Sequence, residues 1–262
     1  MGYRSVGADP SHIADRDLLA DAAREAGRIA LAFRDKGLNS WEKAKGDPVS
    51  DADLAADTYL QSALRQERPD YGWLSEETKD DRSRLEARRS FVVDPIDGTR
   101  AFIKNRPEFA VSIAVIEDGA PICGVIFDPS TDIVYDAVLG GGARANAKPI
   151  RVSHCTALSK AHIYGDPGQL PALRELGVHA DTINSVALRL AHVASGERDG
   201  LAAVRGKWDW DLAAAALLVT EAGGLITDHK GAALSFNDDP PRQPAPLAAG
   251  PALHALLRQS FC

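Results

Sequence analysis

The spacing of apolar residues along this 262-residue chain changes period several times, and each change marks an element. From Ile13, the positions Leu18, Leu19, Ala22, Ala23, Ala26, Ile29, Ala30 and Phe33 recur three to four apart. That predicts a helix ended by Gly37, after a loose leader over residues 1–11. Leu54, Tyr59, Leu60 and Leu64 predict a second helix, entered through a polar loop from Lys45 to Asp53. Ser50 or Asp51 is a natural cap for it, whereas Asp53 is harder to place that way. Tyr71 to Leu74 reads as a short strand, and Asp80 to Arg89 as a charged, solvated connector. Phe91, Val92 and Val93 form an apolar run stopped by an acid, a proline and a glycine, as in a buried strand running into a turn. Turn residues at 117–119 and 128–129 then divide Ala110 to Ile116, Ile122 to Phe127 and Ile133 to Val138 into an antiparallel meander. Gly140 to Gly142 is a flexible turn, lacking the glycine spacing of a dinucleotide loop and the Lys-Ser/Thr of a P-loop.

A composition shift at Ser153 to Leu158 divides the chain into residues 1–153 and 154–262. Beyond it, helices over Leu170 to Leu176 and Val186 to Ala194 alternate with short β-like runs. Asp211 to Ala222 is an alanine-rich helix closed by Gly223-Gly224. Asp238 to Pro251 is proline-rich and reads as irregular, before a short helix towards Cys262.

Composition narrows the function classes. With 45% hydrophobic and 26% charged residues the chain is an ordinary globular one, and a net charge of -7 argues against a nucleic-acid polymer as partner. A small phosphorylated metabolite stays open. Three cysteines without a CxxC pair suggest neither a disulfide framework nor a zinc site, and fit a reducing compartment. No apolar run is long enough for a membrane span and no secretory leader is evident, so a cytoplasmic protein with no membrane partner is expected.

The candidate chemistry lies at Asp94-Pro95-Ile96-Asp97-Gly98-Thr99. Two carboxylates three residues apart at a strand's end can reach a common point, where both stay ionised only beside a positive charge. A hard divalent cation supplies it. Gly98 permits a sharp turn that frees the amides of Gly98 and Thr99 to meet an anion. Three further acid-bearing segments stand out: the loop at Asp53, the pair Glu76-Glu77 after the short strand, and Asp211 before the alanine-rich helix.

In order and spacing these segments resemble the inositol monophosphatase family of metal-dependent, lithium-sensitive phosphatases. The likeness runs from Lys45 to Gly224. It rests on the hexapeptide at 94–99, on Trp210-Asp211-Leu212-Ala213-Ala214 through Glu221-Ala222-Gly223-Gly224, and on Gly141-Gly142-Ala143 with Asn146 between them. The resemblance implies a layered αβαβα sandwich of the inositol monophosphatase and fructose-1,6-bisphosphatase type, an N-terminal α+β half and a C-terminal α/β half with the metal site between. It implies two or three Mg²⁺ ions, held by Glu76, Asp94 and the Ile96 carbonyl, and by Asp94, Asp97 and Asp211. Asp53 and Thr99 would hold and activate the attacking water, Glu76 would serve both metal and catalysis, and Gly98 and Thr99 would meet the phosphate. Oxygen-only donors suit Mg²⁺, and two such ions serve an in-line displacement by water. Oligomeric state stays open, with a homodimer the form common in the family.

Departures from the family pattern bear on the substrate. Asn184-Ser185-Val186 replaces a glycine-led turn near the substrate, which makes Ser185 a candidate contact, and Ala147 replaces a glycine after Asn146. Inositol phosphatases usually carry an acid shortly before the Trp-Asp signature, for sugar hydroxyls. Residues 202–207 carry Arg205 and Lys207 instead. Two bases there suit a second phosphate and favour a 3'(2'),5'-bisphosphate nucleotidase-like activity. The alternatives are an inositol-1-monophosphatase or another sugar or histidinol phosphate phosphatase and, remotely, a catalytically dead binding protein of the same fold. A haloacid dehalogenase reading fails on spacing, because two residues separate Asp94 from Asp97, and Trp208-Asp209-Trp210-Asp211 lacks the following Gly-Thr.

Overall fold

The protein is described by a computed structural model covering residues 8–165, 174–175 and 177–260. Helices α1 (Pro10–Lys36) and α2 (Asp51–Glu67) pack on one face of a seven-stranded sheet. Its order is β3 (Gly72–Ser75), β4 (Arg89–Asp97), β5 (Ala110–Glu117), β6 (Ala120–Asp128), β7 (Ile133–Val138), β8 (Gly142–Ala145) and β9 (Lys148–Pro149). Strand alternation sorts the side chains: Phe91, Val93, Val111, Ile113 and Val115 face α1 and α2, while Val92, Ala110, Ala114 and Ile116 face the other way. That second face receives α4 (Val186–Ala194) and α5 (Asp209–Glu221).

A five-stranded sheet covers the far side of α4 and α5. Its order is β11 (His179–Asp181), β10 (His162–Gly165), β12 (Gly200–Ala202), β16 (Pro246–Ala249) and β14 (Leu225–Asp228). Helix α6 (Pro251–Ser260) closes its outer surface through Leu253 and Leu257. The layers are therefore αβαβα, as expected. Sandwiched between two sheets, α5 is buried around most of its circumference, which is why its sequence is alanine and leucine without a polar stripe. Small residues also let it approach the first sheet closely. A Cβ added at Gly124 on β6 would lie 2.8 Å from the Ala214 Cα.

Several expectations are corrected. Helix α1 starts at Pro10, capped by the Asp9 side chain, so residues 10 and 11 are no leader. Residues 1–7 lie outside the described region, as does most of the segment expected as a helix over Leu170 to Leu176. The polar loop before α2 is a hairpin of β1 (Ser40–Ala44) and β2 (Asp47–Ser50), whose exposed residues carry little apolar signal. The connector at 80–89 is not wholly solvated. Arg84 is fully buried, donating to Asp80 Oδ2, to both Asn237 oxygens and to the Asp238 carbonyl. The proline-rich tail contains β15 (Arg242–Gln243) and then β16, an interior strand of the second sheet.

One consequence is measurable. Gly124→Ala should lose about 1 to 3 kcal/mol in chemical denaturation, because the new methyl meets α5 backbone rather than a side chain able to swing aside. An unchanged midpoint would show that α5 is free to shift.

Candidate active site

The site forms where four helix N-termini converge on the end of β4. That strand does not stop at Asp94 but continues to Asp97 with a shift of register between the two, so the irregularity aims both acids at one place. Gly98 follows with φ 100°, where a Cβ would strike the Glu108 carbonyl at 2.7 Å, and the short helix α3 (Thr99–Ile103) starts there. Asp53 stands at the third residue of α2, and Asp211 at the third of α5. Helix α4 presents Ser185 as its cap.

Each aspartate is anchored through one oxygen and leaves the other for a partner. Asp94 Oδ1 accepts from the Ile96 amide at 3.0 Å. Asp97 Oδ2 accepts from Ser185 Oγ at 2.6 Å and from the Ala187 amide at 2.5 Å. Asp211 Oδ2 accepts from the Trp208 amide at 2.9 Å. Asp53 Oδ2 accepts from the Ser50 amide at 2.9 Å and from the Ser50 hydroxyl, while Asp53 Oδ1 accepts from Thr99 Oγ1 at 3.0 Å. The latter hydroxyl also lies 3.0 Å from the Ile96 carbonyl oxygen. Asp53 thus completes a capping box and reaches the site, so the choice between cap and catalytic role dissolves.

Asp94, Asp97 and Asp211 each place a carboxylate oxygen within 4.8 Å of the other two. Burial raises the Asp94 pKa well above the usual range, with Glu76, Asp97 and Asp211 adding to it. Burial, then Asp97, pushes Asp211 up to about 7. Burial likewise raises Asp97, against its bonds from Ser185 and Ala187. Glu76 rises to about 8 through burial with help from Glu77 and Asp211, although Lys43 opposes the rise. Lys43 Nζ lies 3.3 Å from Glu76 and 2.9 Å from Glu77. These acids raise the Lys43 pKa although burial works against it. Arg189 opposes the rise at Asp97, and Lys207 and Arg242 oppose it at Asp211, yet burial outweighs them. Crowded, buried carboxylates that each keep a free oxygen fit a hard divalent cation.

An open cleft of about 160 Å³ is lined by Glu76, Asp94, Asp97, Gly98, Thr99 and Asp211, with Gly46 to Pro48 from the hairpin, Arg100 and Asn184. Of the expected contacts, Ser185 has another partner. It is fully buried, donating to Asp97 and accepting from the Leu188 amide, so it positions an acid while its neighbour Asn184 lines the cleft. Arg205 and Lys207 lie outside the cleft wall, Lys207 on the ribbon formed by β13 (Lys207–Trp208) and β15. Asp211 joins the acid cluster, whereas Asp209 is buried against the Asn237 amide and the Gln243 side chain, both at 2.7 Å. Residues missed in the sequence are Lys43 and Arg100, the latter bonded to the Gly46 carbonyl. Their partners lie 33 to 54 residues away and left no local signal.

The family model described as the inositol monophosphatase family matches residues 15–262. The chain belongs to this family. It is 37% identical over 241 residues to an inositol-1-monophosphatase of Rhizobium meliloti, covering 82% of this chain and 85% of the relative. It is 32% identical over 230 residues to the 3'(2'),5'-bisphosphate nucleotidase CysQ of Escherichia coli, covering 84% and 93%. The crystal structure of extragenic suppressor protein suhB from Bartonella henselae superposes with a TM-score of 0.85 at 32% identity, covering 95% and 98%. As a member of the inositol monophosphatase family the chain is a metal-dependent phosphatase, and the acid cluster supplies the donors that activity needs. Among the described residues no helix is long and apolar enough to cross a membrane.

The raised pKa values have a sign that can be tested. These carboxyls hold protons more tightly folded than unfolded, where their values are 3.8 to 4.5. Metal-free protein should therefore lose stability as pH rises from about 4 through about 8. A divalent cation needs the ionised forms, so the gain in Tm on adding it should be larger at pH 8 than at pH 5. A gain independent of pH in thermal scans would contradict this electrostatic reading.

Proposed function

We propose that the protein hydrolyses a small phosphate monoester bearing a second phosphate, as a 3'(2'),5'-bisphosphate nucleotidase does, with Mg²⁺ as its cation. The observation that carries the substrate reading is the ribbon beside Asp211. Residues 202–207 offer no acid for sugar hydroxyls but Arg205 and Lys207, and Lys207 is close enough to pull the Asp211 pKa downward against burial. Similarity to CysQ supports this reading, while the Rhizobium relative's name supports an inositol phosphate substrate. The basic ribbon supports the bisphosphate over the inositol phosphate.

The donors for Mg²⁺, two or three ions, would be Glu76, Asp94, the Ile96 carbonyl, Asp97 and Asp211. When bound, Mg²⁺ supplies Lewis acidity to the phosphoryl oxygens and lowers the pKa of water. Thr99 Oγ1 holds its proton towards Asp53 Oδ1 and offers its lone pairs to the attacking water. As the water oxygen bonds to phosphorus and the P–O bond to the alcohol breaks, the water proton passes to Thr99 while the Thr99 proton moves to Asp53, and the leaving alkoxide takes its proton from solvent. Burial raises the Asp53 pKa and makes it a better acceptor. The amides of Gly98 and Thr99 open α3, where N–H groups lack helical acceptors, and are placed to donate to the phosphate. Ser50 and Ser185 keep Asp53 and Asp97 in register. No side chain takes up the phosphoryl group.

Phosphate release should require Mg²⁺ and stop with excess chelator. Asp94→Asn and Asp211→Asn should each lower kcat/KM by at least about 10²-fold, since charge stabilisation by the cation is worth several kcal/mol. Thr99→Ala should lower kcat by about 10² to 10⁴-fold with KM little changed. Full activity in chelator, or a trapped aspartyl phosphate, would refute the mechanism.

Across a panel of monoesters, adenosine 3',5'-bisphosphate should show a higher kcat/KM than inositol 1-phosphate. Lys207→Ala should cut the bisphosphate rate by about 10 to 100-fold, the cost of one charged hydrogen bond, and the inositol phosphate rate far less. Faster turnover of inositol 1-phosphate by the unaltered protein would assign it to that substrate instead.

A further inference from the structure

The Asp211 end of the site carries an unusual surface. Trp208 is 37% exposed three residues before Asp211, and its own amide donates to the Asp211 carboxylate. The indole of Trp210 lies parallel to that of Trp208, with centroids 5.1 Å apart and planes 12° apart. Arg242 pairs across the ribbon with Trp208, and its guanidinium carbon lies 4.8 Å from the Trp208 ring centre. Arg242 is exposed and, among the described residues, has no carboxylate partner. Its neighbour Asp239 is engaged by Arg82 at 3.1 Å.

The two groups hold each other in place as a cation–π pair at the surface, with the guanidinium donors turned to no carboxylate among the described residues. The support beneath them is rigid. Asp209 ties Asn237 and Gln243, and Gly206 is pressed so closely that a Cβ there would meet the Gln243 carbonyl at 2.7 Å. The exposed part of this indole, with the Arg242 fork over its ring and its own amide on Asp211, matches a planar base joined to a second phosphate.

Resting on the bisphosphate reading above, we propose that Trp208 and Arg242 form the subsite for the part of the substrate beyond the scissile phosphate, Trp208 packing against a nucleobase and Arg242 binding the second phosphate. Specificity would then reside in the proline-rich segment as much as in residues 205–207.

Three substrates separate the two contacts: adenosine 3',5'-bisphosphate, adenosine 3'-monophosphate and ribose 5-phosphate. Arg242→Gln should lower the ratio of kcat/KM for the bisphosphate over the 3'-monophosphate by about 10 to 100-fold. Trp208→Leu should lower the ratio of the 3'-monophosphate over ribose 5-phosphate by about 5 to 100-fold, the worth of one base stacked on an aromatic ring. Tryptophan fluorescence should be quenched by the bisphosphate in the unaltered protein and much less in Trp208→Phe. The gain in Tm with Mg²⁺ should persist in all three variants, which shows that the acid cluster is intact. Equal losses on all three substrates with that gain retained would reduce the stack to a structural support and overturn the subsite. If the unaltered protein prefers inositol 1-phosphate, the bisphosphate reading falls and takes the subsite with it. If it prefers the bisphosphate and both ratios stay unchanged, the subsite alone falls.

Discussion

Four carboxylates drawn together at one small cleft are the constraint on which the rest of this architecture depends. Like charges so close raise one another's proton affinity, and burial raises it further. A fold can hold such a cluster only by recovering the cost elsewhere. Here the recovery is local and repeated: the aspartates each receive a backbone amide, and Asp53 and Asp97 a serine hydroxyl as well. At Asp94, Asp97 and Asp211, holding one oxygen leaves its twin free and fixes its direction, as a metal centre requires.

Convergence of helix N-termini serves the same end. The N-termini of α2, α3, α4 and α5 bring unsatisfied amides and the positive ends of helix dipoles towards the acids. Arrangement in layers makes this geometry available. Helix α5 lies between two sheets, pressed on Gly124, so the position of Asp211 is set by packing along the helix behind it. Lys43 is a different kind of compensation. It reaches in from the exposed hairpin and neutralises Glu76 and Glu77, where no helix end is available.

The rim is more basic than the floor. In a chain of net charge -7, Lys207 and Arg242 meet at the Asp211 end without ion pairs among the described residues. Segregation of acids inside and bases around suits a substrate whose negative charge extends beyond the group being cut. Segments that vary in sequence character, the ribbon at 207–208 and the proline-rich run, supply this rim. The acid floor comes from elements fixed by core packing, so floor and rim are supplied by different parts of the chain.

Much of the fold was legible because its signals are local. Period-two alternation through β5, β6 and β7, the amphipathic stripes of α1 and α2, and the acids at 94, 97 and 211 are written in residues near one another in sequence. The proline-rich segment misled because β16 is an interior strand, whose neighbours β12 and β14 satisfy it whatever its local propensity. Arg84 read as solvated because a charge in a charged run carries no sign of being buried. Its partners Asn237 and Asp238 lie more than 150 residues away. Ser185 reads as a substrate contact in the sequence, but its hydroxyl turns to Asp97, a partner 88 residues away that only folding brings to it. The sequence by itself determined which groups could hold a cation, because donor chemistry belongs to residue type. Tertiary structure decided which oxygen of each acid is free and which bases stand beside them, because these depend on hydrogen bonds between segments that meet only when the layers close.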